Sequence, residues 1–285
     1  LVCCVIVGDT GIYEYPPTWN TVYIKYMKIS VVIQTYNSEL YLGRVLESVK
    51  SFDEVVICDM YSTDRTLEIA QRYGWKGVYH EKIPFCEPAR NFAIQSASYE
   101  WILVVDSDEV VPEDLRSYLY ERIERKDDLQ GLWIPRKDYL FGKFMHGDYP
   151  DYILRFFRKD NVFWPPYVHA IPRIEGNVEK IPRKKKNLAF IHLINNPLEL
   201  KLQKMNTYST MEIPKREGQN FSLWKMFYAP AYRFIKAYFI KGGFRDGKAG
   251  LVNAGLDAFY KFLTIAKIWE SRIRPEDMDR ELRDS

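Results

Sequence analysis

Apolar residues in this chain come first in short unbroken runs and later at helical spacing. KISVVIQT at 28–35, EVVICD at 54–59 and WILVVD at 101–106 are each continuous, and the first two are rich in β-branched residues. Strands buried on both faces carry such runs, because neither face meets water. Between the first two, Leu42, Val45, Leu46 and Val49 fall on one helical face, with Asn37 or Ser38 placed to cap it. Ser62, Thr63 and Asp64 offer a cap for a second helix carrying Leu67, Ala70 and Tyr73. A short strand at 77–80 and a helix at 88–97 come next. Strands alternating with helices at this interval predict an α/β fold, a mainly parallel sheet joined by right-handed crossovers.

From about Leu132 short apolar and aromatic segments alternate with Gly, Pro and Asp, which predicts strands and loops of a less regular layer. After Asn195 the spacing is helical. Trp224, Phe227, Tyr228, Ala231, Phe234, Ile235, Tyr238 and Phe239 form one series, and Leu251, Ala254, Ala258, Phe259, Phe262, Ala266 and Trp269 another. The Gly-rich stretch from Gly242 to Gly250 separates them. The charged last dozen residues read as a frayed end.

The polar residues that interrupt this pattern sit where a parallel sheet binds ligands. Thr35, Asp59 and Asp106 each close a strand, and open α/β sheets take ligands at the carboxyl ends of their strands. Asp106-Ser107-Asp108 is an Asp-x-Asp motif directly after a strand, and hard cations such as Mg²⁺ or Mn²⁺ take such oxygen ligands together with substrate phosphates.

Composition narrows the rest. Of 285 residues, 47% are hydrophobic and 28% charged, which excludes a disordered chain. No apolar run approaches the ~18–20 residues of a membrane span. A net charge of +3 is too small to argue for nucleic acid. Cys3, Cys4, Cys58 and Cys86 form no CxxC pair or disulfide framework, which fits a reducing, cytoplasmic setting. Residues 1–26 differ in character from the rest of the chain and read as a non-native or poorly ordered extension, with the natural start expected at Met27.

VVIQTYNSE at 31–39, VVICDMYSTDRT at 55–66, PARNFA at 88–93 and VVDSDE at 104–109 together resemble the family 2 glycosyltransferases of the GT-A fold. GDYPDYILRFFRKD at 147–160, VHA at 168–170 and KGGFRDGKAG at 241–250 are similar to a narrower group, the lipopolysaccharide-core type akin to β-1,4-glucosyltransferases. The resemblance implies a Rossmann-like GT-A domain over 27–195, with a donor half at 27–110 and an acceptor half at 111–195. A helical, membrane-interfacial region at 196–285 completes the chain. The resemblance also implies that Thr35, Tyr36 and Glu39 border the nucleotide base, that Asp59 binds base or ribose, and that Arg90 lies near the diphosphate. Asp106 would reach the ribose and Asp108 the metal, Mg²⁺ or Mn²⁺. Gln34 and Met60-Tyr61 depart from the family's usual Pro and small residues, so Tyr61 would crowd or stack on the donor.

Transfer from a nucleotide sugar with inversion needs a base beside the anomeric carbon. Asp148, Asp151 and Glu175 are the candidates, and Asp151 matches the narrower group's YPD; its alternative role is an ion pair with Arg155 or Arg158. His192 is a metal or diphosphate ligand or a core residue, and His169 an acceptor contact or a core residue. The basic run Lys180, Arg183, Lys184, Lys185 and Lys186 is either a solvated hairpin or a patch for anionic lipid or a phosphorylated acceptor. Lys225, Arg233, Lys236, Lys241, Arg245 and Lys248 beside aromatics suit either a packed helix or one at a membrane interface. The expected activity is an inverting, metal-dependent hexosyltransferase moving sugar to an envelope glycan, peripheral on the inner face of the plasma membrane. A sugar nucleotidyltransferase and a non-catalytic sugar- or lipid-binding scaffold are the alternatives.

Overall fold

The computed structural model describes residues 27–74, 76–82, 87–125, 127–165, 170–193, 197–216 and 222–273. The extension at 1–26, Cys3, Cys4, Cys86, His169 and the charged end from 274 lie outside the described residues.

The first half alternates as its pattern predicts. It runs β1 (Ile29–Thr35), α1 (Leu42–Val49), β2 (Glu54–Asp59), α2 (Thr66–Arg72), β3 (Lys76–Tyr79), α3 (Glu87–Gln95) and β4 (Trp101–Asp106). Then come β5 (Glu109–Val110), α4 (Glu113–Glu124), β6 (Leu129–Lys137), the hairpin β7 (Tyr139–Leu140) and β8 (Lys143–Phe144), and β9 (Asp151–Arg158). The pair β10 (Val162–Phe163) and β11 (Arg173–Ile174) precedes β12 (Asn177–Lys180) and β13 (Phe190–His192).

Among the described residues the main sheet has the order β3-β2-β1-β4-β9-β6-β13-β5, with β12 also beside β6. β1 pairs in parallel with β2 and β4, whereas β9 runs antiparallel to both β4 and β6. The result is a mixed, mainly parallel sheet, of the kind the resemblance implies. Alternation along β1 explains its unbroken apolar run. Ile29, Val31 and Ile33 join the core under α1 and α4, while Val32 joins the core under α3.

One local expectation is corrected. Neither Asn37 nor Ser38 caps α1, whose N-terminal residue Tyr41 makes no side-chain cap bond. Their groups bind the neighbouring loop instead: the Thr63 amide donates to Asn37 Oδ1 at 2.9 Å, and the Ser38 amide donates to Thr66 Oγ1 at 2.7 Å. Asp64 does serve α2, accepting the Thr66 amide at 2.9 Å.

The C-terminal third is helical: α5 (Leu198–Met211), α6 (Leu223–Ile235) continued by a π-turn at Lys236–Ile240, and α7 (Gly247–Glu270). The Gly-rich stretch is a tight joint against the 146–151 loop. Gly242 and Gly247 adopt positive φ of 80° and 62°. A Cβ on Gly250 would stand 1.8 Å from the Gly243 carbonyl oxygen, and one on Gly147 would stand 2.9 Å from Gly243 Cα. Asp246, buried in the joint, accepts the His146 amide at 2.9 Å and the Gly147 amide at 3.0 Å. The helices are thereby tied to the loop that carries Asp148 and Asp151.

Candidate active site

The carboxyl ends of β1, β2 and β4 lie side by side, as their parallel register requires. Thr35 Oγ1 donates to Asp59 Oδ1 at 2.7 Å. The Ser62 amide and hydroxyl donate to the same carboxylate at 2.8 and 2.6 Å. Asp59, 1% exposed, thus organises the loop after its own strand. Glu39 accepts a hydrogen bond from Arg65 Nε at 3.2 Å, and Tyr36 packs beneath Lys82, 4.2 Å from its ring centroid. Tyr61, at φ 57°, stacks on Tyr79 with centroids 5.9 Å apart, an exposed pair at the rim of this edge. The buried Gln34 amide has no hydrogen-bond partner among the described residues and pairs in register with Asp106.

Asp106 is held by two buried arginines. Arg90 donates to Oδ1 at 2.9 Å and Arg155 to Oδ2 at 2.6 Å. Both guanidiniums lie over the Trp164 ring, 4.5 and 5.3 Å from its centroid. Burial would raise the Asp106 carboxyl, but Arg155 and Arg90 outweigh it and hold the group well below the usual carboxylate range. Next to it the fully buried Glu109 is pushed up by desolvation and by the charge of Asp106. Arg136 bridges Glu109 at 3.1 Å and Asp151 at 2.6 Å. Asp151 therefore pairs with Arg136 on the neighbouring strand. The expected partners are occupied elsewhere, Arg155 by Asp106 and Arg158 by Glu100.

The last strand of the chain completes the cluster. His192 presents Nδ1 to Asp138 at 2.6 Å and Nε2 to Asp108 at 3.6 Å. Burial lowers its pKa, but the facing carboxylates of Asp108 and Asp138 prevail and raise it to about 9. Among the described residues no three His, Cys, Asp or Glu side chains converge as a ready metal site. The donor set nevertheless fits one. A carboxylate and an imidazole nitrogen face each other, and the second ring nitrogen is anchored by a carboxylate, as metal-binding histidines are. Beneath this cluster a cavity of about 270 Å³ is lined by Asp138, Asp148, His192, Lys201 and Asn253, among others. Asp148 accepts a hydrogen bond from Asn253 at 2.8 Å, and burial pushes its carboxyl up.

Residues 30–178 match the model of glycosyl transferase family 2. The chain belongs to that family. Over 257 residues it is 30% identical to the lipopolysaccharide core biosynthesis glycosyltransferase LpsC of Rhizobium meliloti, a match covering 86% of this chain and 93% of that protein. An uncharacterized glycosyltransferase of Rickettsia typhi is 24% identical over 281 residues, covering 88% of this chain and 90% of the relative. The mannosyltransferase PcManGT of Pyrobaculum calidifontis, solved with GDP-Man and Mn²⁺, shares the fold with a TM-score of 0.54 at 14% identity, covering 87% of this chain and 89% of that one.

In this family 2 glycosyltransferase the residues singled out by sequence fall into two groups. Thr35, Tyr36, Glu39, Asp59, Asp106 and Asp108 lie at the ends of the parallel strands and in the loops after them, Arg90 reaches Asp106 from α3, and His192 closes against Asp108. Asp148, on the loop tied down by Asp246, lines the cavity under His192, and Asp151, the first residue of β9, joins the cluster through Arg136. Arg136, Asp138 and Trp164 were not anticipated. Asp138 sits just past the carboxyl end of β6, the same strand-end signal that marks Asp59 and Asp106. Trp164 carries no such signal, since its role depends on two arginines brought from α3 and β9. In the basic run, Lys185 and Lys186 lie over the rings of Tyr118 and Tyr149 at 5.2 and 5.9 Å.

Proposed function

We propose that this glycosyltransferase moves a sugar from a nucleotide-sugar donor to an envelope glycan, with inversion at the anomeric carbon. The observation that carries the reading is the meeting of Asp106, Asp108 and His192 at the carboxyl ends of β4 and β13, beside two buried arginines. LpsC, similar over most of the chain, is named for lipopolysaccharide core biosynthesis. That supports a glycan of the same kind as acceptor.

In this reading Thr35, Tyr36, Glu39 and Asp59 frame the nucleotide base and Asp106 meets the ribose. Arg90 and Arg155, stacked on Trp164, set positive charge beside the departing diphosphate, where negative charge grows. Asp108 and His192 would hold Mg²⁺ or Mn²⁺, which supplies charge neutralisation to the diphosphate when bound. Asp151, oriented by Arg136, takes the proton of the acceptor hydroxyl from the face opposite the leaving group. A second reading places this base at Asp148, because that carboxyl lines the cavity beside His192 and burial raises its proton affinity.

The exposed face of α6 supports a membrane-surface setting. Leu223, Trp224 and Phe227 are 73%, 79% and 70% exposed, and Tyr228, Ile235 and Phe239 continue the stripe. No helix among the described residues is long and apolar enough to cross a membrane. An aromatic stripe with Lys225, Arg245 and Lys248 nearby in sequence suits the interface of an anionic bilayer.

The test compares Asp151→Asn and Asp148→Asn in transfer assays and reads the anomeric configuration of the product. Asp151→Asn is expected to lower the rate by ~10²–10⁴ with donor affinity retained, and Asp148→Asn to cost much less. The reverse order assigns the base to Asp148. A product that retains the donor's configuration contradicts single displacement altogether.

A further inference from the structure

A second cavity, larger than the one under His192, lies outside the cluster just described. It has a volume of about 530 Å³ and lies between α5, α6 and α7, within the ~300–1,000 Å³ of small-molecule sites. It shares Asp148, Lys201 and Asn253 with the smaller cavity under His192, so the two are neighbours across one wall.

Its charges are unevenly satisfied. The three carboxylates on its wall are all engaged: Asp257 by Arg233 at 2.7 Å, Glu212 by Arg216 at 2.8 Å, and Asp148 by Asn253 at 2.8 Å. Lys201 donates to the neutral amide of Asn253, at 2.9 Å. Lys236 and Lys241 form no ion pair with any described residue, although both line the cavity. Burial pulls the pKa of Lys201 down, against the opposing pull of Asp148, Asp138 and Asp257.

The backbone explains how two of these lysines come to share the cavity. Residues five apart on an α-helix diverge around its circumference. Here α6 passes into the π-turn, and the Lys241 amide bonds the Lys236 carbonyl at 2.9 Å, the five-residue step of a π-helix. Met205, Leu256 and the ring of Tyr260 supply an apolar wall, the surface against which a sugar ring packs.

We infer that this cavity receives an anionic group, a phosphate or carboxylate carried by the acceptor sugar, on Lys201, Lys236 and Lys241. The inference rests on the transferase reading for the word acceptor, and on the cavity alone for the anion. Three cations beside Asp148 place the charged substituent next to the residues that face the reacting hydroxyl. Specificity follows from the same feature, because Lys201, Arg233, Lys236 and Lys241 outnumber Asp148, Glu212 and Asp257 on the wall, a surplus of positive charge that a neutral sugar does not meet.

The experiment titrates glucose, glucose 6-phosphate and glucuronate into the full chain by calorimetry, with a panel of nucleoside diphosphates titrated separately in the presence of Mn²⁺. At least one anionic sugar is expected to bind tighter than glucose. Lys236→Gln and Lys241→Gln are each expected to weaken it by about tenfold, what one charge-assisted hydrogen bond is worth. Lys241 is exposed, so its variant keeps the test independent of folding. Equal binding of glucose and both anionic sugars, or unchanged binding in both variants, overturns the inference. Failure of every nucleoside diphosphate to bind contradicts the transferase reading instead, and the three sugars still decide the cavity.

Discussion

Asp148 and Asp151 are three residues apart and live in different surroundings. Asp151 is half exposed beside an arginine, whereas Asp148 is largely withdrawn from water. A carboxyl whose folded pKa is raised binds its proton more tightly folded than unfolded. Stability from that group is greatest at low pH and declines as pH rises through its unfolded value toward the folded one. Replacing Asp148 by Asn removes the buried charge and keeps a partner for Asn253. Asp148→Asn is therefore expected to raise the thermal midpoint at neutral pH, with the gain vanishing in acid; a lower midpoint at neutral pH contradicts the assignment. The strand-end residues were legible because a parallel sheet dictates where they fall. Their partners were not. That Arg155 serves Asp106 and leaves Asp151 to Arg136 depends on β9 inserting between β4 and β6, a pairing that no local pattern specifies.

At the scale of elements, the first half followed its periodicity because its central strands are buried on both faces and α1 turns its apolar face to them. The C-terminal helices were legible as helices but not in their roles. The same basic residues that read as a membrane patch divide in space: Arg233, Lys236 and Lys241 line the cavity. The Gly-rich joint is the element on which the loop at 146–151 depends. Gly250→Ala drives a methyl into the Gly243 carbonyl, and overpacking of this kind costs ~1–3 kcal/mol or more. Calorimetric unfolding is expected to show a lower midpoint, and an unchanged midpoint means the joint opens without cost. The outer face of α6 is tested by flotation with vesicles rich in anionic lipid. Binding is expected at low salt, with loss in the double variant Trp224→Ser, Phe227→Ser. Equal flotation of both proteins removes α6 from the interface.

Over the whole molecule, one sheet brings together three charge systems that are far apart in sequence. The loops after β1 and β2 close on Asp59, β4 carries Asp106 to Arg90 of α3 and Arg155 of β9, and β13 returns His192 to Asp108. The aromatic and basic helices then cover the side on which Asp148 stands. In the proposed reading a chain with a modest net charge handles a diphosphate because Arg90 and Arg155 are buried beside Asp106 rather than spread over the surface. In that reading Asp108, with His192, binds the donor through a divalent cation. The direct measurement is release of nucleoside diphosphate from a panel of nucleotide sugars with Mn²⁺ or Mg²⁺, for the full chain and for Asp108→Ala. Turnover of at least one donor is expected with metal, and its loss both in excess chelator and in the variant. Undiminished turnover in excess chelator, or in Asp108→Ala, contradicts the account.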